Sequence, residues 1–242
     1  MLTALVISAI AAEAGGLQIS DVTFGAEGEY RGYLVRPQGN GPFPAMVVIH
    51  EWWGINDNIR NQARKLAEAG YVALAVDLFG KTTNDPQEAM KQVQGLDQKE
   101  ATAELLAAAA YLRSQPFVKP DKVGSIGWCF GGAQSLNLAL NDLRLAAAVI
   151  YYGKPVTDLK QLAKIHAAIL GFYGEADESI PMAQVHEFVT ALGEAKVKHE
   201  FHTYPGAGHA FANPSGGSRY KPDAANDAWQ KTLAFLAKHL KA

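Results

Sequence analysis

The sequence predicts an α/β fold: a mostly parallel sheet covered by helices on both faces. Two observations carry that expectation. Short apolar runs, each the length of a buried strand, recur along the chain and alternate with stretches of helical period. One of these runs also passes through a glycine-flanked turn, Gly127-Trp128-Cys129-Phe130-Gly131, directly into a stretch of small and apolar residues. A strand that turns sharply into a helix at the carboxyl edge is a hallmark of such sheets, and ligands gather at that edge.

The elements follow in order. Residues 30–37 read as an early strand ended by Pro37, and residues 45–50 as a continuous apolar strand. Residues 56–69 have helical periodicity, with Ile59, Ala63, Leu66 and Ala67 on one face and Gly70 as the stop. A strand at 71–77 precedes a helix-rich stretch from Gln87 to Arg113, broken near Gly95. Residues 122–126 form the short strand before the turn, and 131–140 the helix after it. Strands at 145–151, 167–173 and 198–204 alternate with further helices, and a last helix at 222–240 closes the chain.

Composition bounds the function. The chain has 242 residues, enough for one large domain, expected over residues 15–242. A net charge of -2 gives no electrostatic reason to expect nucleic acid or an anionic membrane as partner. A single cysteine excludes an intrachain disulfide framework and any cysteine-clustered zinc site. No metal or organic cofactor is expected, and the partner is a small molecule taken up by a monomer or small homo-oligomer. Residues 1–14 stand apart: the run is apolar, too short to span a bilayer, and Ala12-Glu13-Ala14 has a small-x-small pattern. An export signal and a periplasmic location are the expectation there. The lack of Lys or Arg before the run speaks for the alternative, a short docking helix on a cytoplasmic protein.

The lone cysteine sits where the chemistry should be. Strand, turn and helix around Cys129 have the frame of a nucleophile elbow, in which one side chain rides a strained turn above the sheet. Flanking glycines suit it, because a tight turn leaves no room for a Cβ. Asp177 lies just past the strand at 167–173, within Asp177-Glu178-Ser179-Ile180-Pro181, and is preferred over Glu175 and Glu178 as the acid. His209 lies in the Gly-rich loop after the next strand. The order nucleophile, acid, histidine is that of α/β-hydrolases. A thiol with a pKa near ~8.5 is mostly protonated at neutral pH, so an imidazole must hold its proton and a carboxylate must fix the imidazole tautomer. His50, His199 and His202 end or lie within strands and read as structural. The loop His50-Glu51-Trp52-Trp53-Gly54 follows the first long strand, where one oxyanion-hole amide arises; the donors would be the backbone N–H groups of Trp52 and Phe130.

Together Glu51-Trp52-Trp53-Gly54, Gly127-Trp128-Cys129-Phe130-Gly131-Gly132, Asp177 and Gly208-His209-Ala210-Phe211 resemble the dienelactone hydrolase family, from about residue 20 to the C-terminus. The resemblance implies that Glu51 contacts the thiol and, redirected by substrate, helps to generate the thiolate. It also implies a clamp of two arginines and a serine around a substrate carboxylate. Here those positions fall at Lys81, Asn213 and Ala210, so the clamp is at best half kept, with Arg219 as the nearby cation that would compensate. Trp53, Phe79, Tyr151 and Tyr152 are the expected apolar walls. The expected activity is hydrolysis of an ester or lactone carbonyl by a Cys129–His209–Asp177 triad. The alternatives are a broad carboxylesterase or thioesterase, or a catalytically silent binding protein on the same fold.

Overall fold

In the computed structural model, which describes residues 16–242, the chain begins β1 (Leu17–Phe24), β2 (Tyr30–Pro37), β3 (Phe43–Ile49), α1 (Asp57–Glu68) and β4 (Val72–Val76). It continues through α2 (Pro86–Gln94), α3 (Gln98–Ser114), β5 (Val118–Trp128), α4 (Phe130–Asn141), β6 (Ala147–Tyr151) and α5 (Leu159–Leu162). Then come β7 (Ala168–Gly174), α6 (Met182–Glu194), β8 (His199–Tyr204), a 3₁₀ segment (Pro214–Arg219) and α7 (Pro222–Leu236). One sheet runs in the order β1-β2-β4-β3-β5-β6-β7-β8. The pairs β1/β2 and β2/β4 are antiparallel, and every later pair is parallel. The apolar leader at residues 1–14 lies outside the described residues, and with it the export expectation.

Two apolar layers explain why the central strands are apolar without interruption. In β3, Val47 and Ile49 face the layer that contains Leu105, Ala109 and Leu136, from α3 and α4. Their neighbours Met46 and Val48 face the opposite layer, with Ile59 and Leu66 from α1 and Phe235 from α7. Side chains alternate across a strand, so a strand covered on both sides must be apolar at every position.

Local signals set the helix ends. The Asn56 side chain accepts the Ile59 N–H at 3.1 Å and caps α1, and Gly70 ends the turn after it at φ +86°. The break near Gly95 divides the helix-rich stretch into α2 and α3, and Asp97 caps the second by accepting the Lys99 and Glu100 N–H groups. The strand β1 is absent from the sequence reading because it pairs on one side only and carries polar residues at alternate positions. β5 likewise starts four residues before the predicted strand, since its polar beginning at Lys119-Pro120-Asp121 has no apolar run to announce it. The final helix ends at Leu236, and Ala237–Lys241 form a wider π-helical turn.

The topology decides where chemistry can occur. β3, β5, β7 and β8 run in parallel and end at one edge, so the loops that follow them, with Glu51, Cys129, Asp177 and His209, meet there.

Candidate active site

Cys129 links β5 to α4 with φ +55° and ψ -117°, a backbone conformation that residues with a Cβ rarely adopt. The turn persists because its surroundings permit nothing bulkier. A Cβ on Gly127 would lie 2.0 Å from the Gly131 carbonyl, and one on Gly131 would lie 2.2 Å from the Ile49 carbonyl. The start of α4 therefore lies directly against the end of β3, which brings Cys129 beside the Glu51–Gly54 loop. The Cys129 N–H is itself held by the Tyr151 carbonyl at 3.0 Å.

The residues expected to act together are brought together. His209 Nε2 lies 3.0 Å from the Cys129 Sγ, and His209 Nδ1 donates to Asp177 Oδ2 at 2.7 Å. The other carboxylate oxygen of Asp177 accepts the Ser179 and Ile180 N–H groups at 2.8 and 3.1 Å. Burial opposes ionisation of Asp177, but the His209 contact and these two amides outweigh it and hold the carboxyl below its usual value. Burial likewise opposes a charged His209; the Asp177 and Cys129 contacts together prevail and push the imidazole up to about 10. Glu175 is occupied elsewhere, accepting the Thr203 hydroxyl at 2.8 Å, and Glu178 is exposed.

Glu51 is 2% exposed, and its Oε2 accepts from Asn213 Nδ2 at 2.5 Å. Burial, partly offset by His209, Arg219 and Asn213, raises its carboxyl to about 7. No hydrogen bond joins it to the Cys129 thiol, which pairs with His209 instead. The thiol contact implied by the family resemblance is thus replaced here by the amide of Asn213. That amide cannot turn freely, because its Oδ1 accepts the Ser215 N–H at 2.8 Å. No described carbonyl or side chain accepts the N–H of Trp52 or Phe130, so both amides are free to donate.

The recognition residues are scattered. Lys81 is turned to the surface in an ion pair with Glu88 at 3.0 Å, a carboxylate that it shares with Lys91. Tyr151 is a correction: its hydroxyl meets Thr232 at 2.7 Å, its ring packs on Phe172 and Trp128, and it belongs to the core rather than to a pocket wall. Tyr152 is buried as fully as Tyr151, but its ring packs edge-to-face with His209, 5.2 Å between centroids, and it holds a left-handed φ of 38°. Phe79 packs against Phe130 and His50, and Trp53 packs against Trp52. Arg219 is exposed in the 3₁₀ segment, close enough to lower the Glu51 pKa. His50 is structural: its Nε2 accepts the Leu78 N–H, so its Nδ1 carries the proton donated to the Glu51 carbonyl.

Two side chains were not singled out from the sequence. Gln92 Nε2 donates to the Trp52 carbonyl at 3.3 Å and braces the proposed oxyanion loop; nothing in its sequence context announces this. Glu104 is buried on α3, and no described residue donates to its carboxyl. Its spacing from Ala101 and Ala108, both on the buried face, was the signal available.

A model of the dienelactone hydrolase family matches residues 30–240. The chain belongs to the dienelactone hydrolase family. A Synechocystis relative named "Putative carboxymethylenebutenolidase" is 33% identical over 87% of this chain and 92% of its own length. A Bradyrhizobium relative named "Probable 2-oxo-3-(5-oxofuran-2-ylidene)propanoate lactonase" is also 33% identical, over 90% of this chain and 94% of its own. Among solved structures, a dienelactone hydrolase-like promiscuous phosphotriesterase from metagenomic libraries superposes with a TM-score of 0.85 at 27% identity, covering 93% of this chain and 99% of that one. The fold is that of the α/β-hydrolases, and the protein is a hydrolase of this family.

Proposed function

We propose that the protein hydrolyses neutral esters or lactones with Cys129 as nucleophile, His209 as acid and base, and Asp177 as the group that orients His209. One observation carries this reading: His209 bridges the Cys129 Sγ and the Asp177 carboxylate at 3.0 and 2.7 Å. With Nδ1–H committed to Asp177, the other ring nitrogen is left to exchange a proton with the thiol. His209 takes the Cys129 proton, and the sulfur attacks the carbonyl carbon. The oxyanion that forms accepts from the Trp52 and Phe130 amides. Collapse of the intermediate expels the alcohol, which takes its proton from His209, and leaves an acyl thioester on Cys129. Water, deprotonated by His209, attacks that thioester, and the acid departs with the thiol restored.

Glu51 is proposed to tune this step. A buried carboxyl with a pKa raised to about 7 changes charge near neutrality, close to the thiol and His209. Neutral substrates are expected to be turned over as readily as anionic ones, because at the clamp positions Lys81 is paired with Glu88 and the uncharged Asn213 is committed to Glu51. The names of the Synechocystis and Bradyrhizobium relatives support lactones as a substrate class. The test is an assay of purified protein and Cys129→Ala against neutral lactones and aryl esters. Hydrolysis that depends on Cys129 is the expected result; hydrolysis unchanged in Cys129→Ala would assign the reaction elsewhere.

A further inference from the structure

A cleft of about 220 Å³ opens between the end of β4, the C-terminus of α2 and the first turns of α3. Leu78, Phe79 and Leu96 supply apolar walls. Glu104 lines it and is only 8% exposed. Its carboxyl has no hydrogen-bond donor or cation beside it among the described residues; the charges it feels, Asp77 and Glu100, are both acidic. Gln92 also lines the cleft, and its Oε1 is buried without a partner while its amide nitrogen is occupied by the Trp52 carbonyl. The Glu104 carboxyl thus lines a half-enclosed cleft with apolar walls, and no described residue donates to it.

The complement is a group with donors, no acceptor and a positive charge, carried on an apolar stem. An alkylammonium has that chemistry. A metal ion does not suit the site, since no group of three or more His, Cys, Asp or Glu among the described residues is arranged to hold one. We propose that this cleft is a second small-molecule site, separate from the catalytic centre, that binds the primary ammonium group of an aliphatic amine. The ammonium lies against the Glu104 carboxylate, and the stem lies along Leu78, Phe79 and Leu96. Phe79 packs at a tilt on Phe130, 5.0 Å between centroids, so one ring separates the bound stem from the residue that follows the nucleophile.

Binding carries a pH signature. Burial first, then Asp77 and Glu100, push the Glu104 carboxyl up to about 8, so the empty cleft holds a proton at neutral pH. The charged groups that face it are Asp77 beyond β4 and Asp97 and Glu100 at the start of α3; α2 contributes only the uncharged Gln92. An ammonium binds the ionised form, so each binding event below that pH releases a proton. Affinity therefore rises with pH, roughly tenfold per unit, and levels off above it.

The test is isothermal titration of the full chain with n-butylammonium chloride at pH 6.5, 7.5 and 8.5, with n-butanol as the neutral control. The expected result is saturable binding that tightens about tenfold between the two lower values, with a heat that depends on the buffer's own ionisation. Glu104→Gln keeps the shape of the protonated carboxyl and the fold, read by its melting temperature, yet should weaken binding at least ~10-fold and abolish its pH dependence. No saturation by about 50 mM at pH 8.5, or equal binding by Glu104→Gln, would overturn the site. Displacement of the amine by an ester that the enzyme turns over would overturn its separateness from the catalytic cleft.

Discussion

The two sides of the candidate site, proposed chemistry and proposed recognition, differ in what their polar groups are bonded to. On the proposed catalytic side, three side chains from three strand ends form one continuous line of contacts, and both oxygens of Asp177 are used. Among the recognition positions, those that would clamp a substrate carboxylate are engaged with other side chains: Lys81 with Glu88, Asn213 with Glu51. Ala210 has no polar side chain at all. The difference teaches that reaction machinery and recognition are under separate physical constraints. A nucleophile, base and orienting acid work only at hydrogen-bond distance from one another. Recognition groups are set by loop side chains, each of which can change without disturbing the sheet.

Removing the nucleophile should produce the largest effect. Cys129→Ala is expected to lower kcat by at least ~10⁴, measured with an aryl ester, while the melting temperature changes little because Cys129 is only half-buried. Iodoacetamide should inactivate the wild type with label on this one residue, mapped by peptide mass. Asp177→Asn should come next, at about 10²–10⁴ in kcat, because the amide can present the wrong group to His209 Nδ1. A loss under tenfold would mean that Asp177 caps its turn through Ser179 and Ile180 and does little for the histidine.

Much of the catalytic side was legible in the sequence for a plain reason. Cys129 and Asp177 each follow a buried strand end, His209 follows the more polar β8, and parallel strands deliver their carboxyl ends to one edge. The glycines about Cys129 were informative because contact with the Gly131 and Ile49 carbonyls leaves no space for a Cβ. The edge strand β1 stayed hidden because it is half exposed and lacks an apolar run. The wall residues were harder still. Tyr151 and Tyr152 are adjacent in sequence and both fully buried, yet one meets Thr232 and the other packs on His209 through a left-handed φ. No pattern in the chain separates the two. Pairings across long separations, such as Asn213 with Glu51 or Gln92 with Trp52, are likewise set by tertiary packing and leave no local trace.

Glu51 stands between the two sides, and its removal should have an intermediate effect. Its native carboxyl titrates at about 7, against ~4.3 in an unfolded chain. Between those values the native state holds a proton that the unfolded state has lost, so stability falls as pH rises through this window and is level above it. Glu51→Gln should remove that part of the slope, a difference on the order of 2–3 kcal/mol between pH 4.5 and 7.5. Glu104 adds a second decline that extends to about 8 in both proteins, so the difference between them isolates Glu51. Turnover should fall about tenfold, and iodoacetamide should react faster above pH 7, where a negative charge no longer opposes the thiolate. Identical denaturation curves at both pH values would show Glu51 to be solvated and uninvolved.

The smallest effect should come from the remnant of the clamp. Lys81 lies more than half exposed and shares Glu88 with Lys91, so its charge is both screened and paired. A substrate carboxylate would have to displace Glu88 before using it. For a matched pair of esters that differ only by a remote carboxylate, kcat/KM should agree within about threefold, and Lys81→Met should shift that ratio by less than ~2-fold. Arg219 is the sharper probe. It is exposed, and among the described residues its only hydrogen bond is a long one, 3.4 Å to the Gly216 carbonyl. If the anionic ester is favoured by ~10²-fold and Arg219→Gln abolishes the preference, a cation in the 3₁₀ segment has rebuilt the clamp from a new position. The contrast between a fixed catalytic side and a dismantled recognition side would then fail at that one residue.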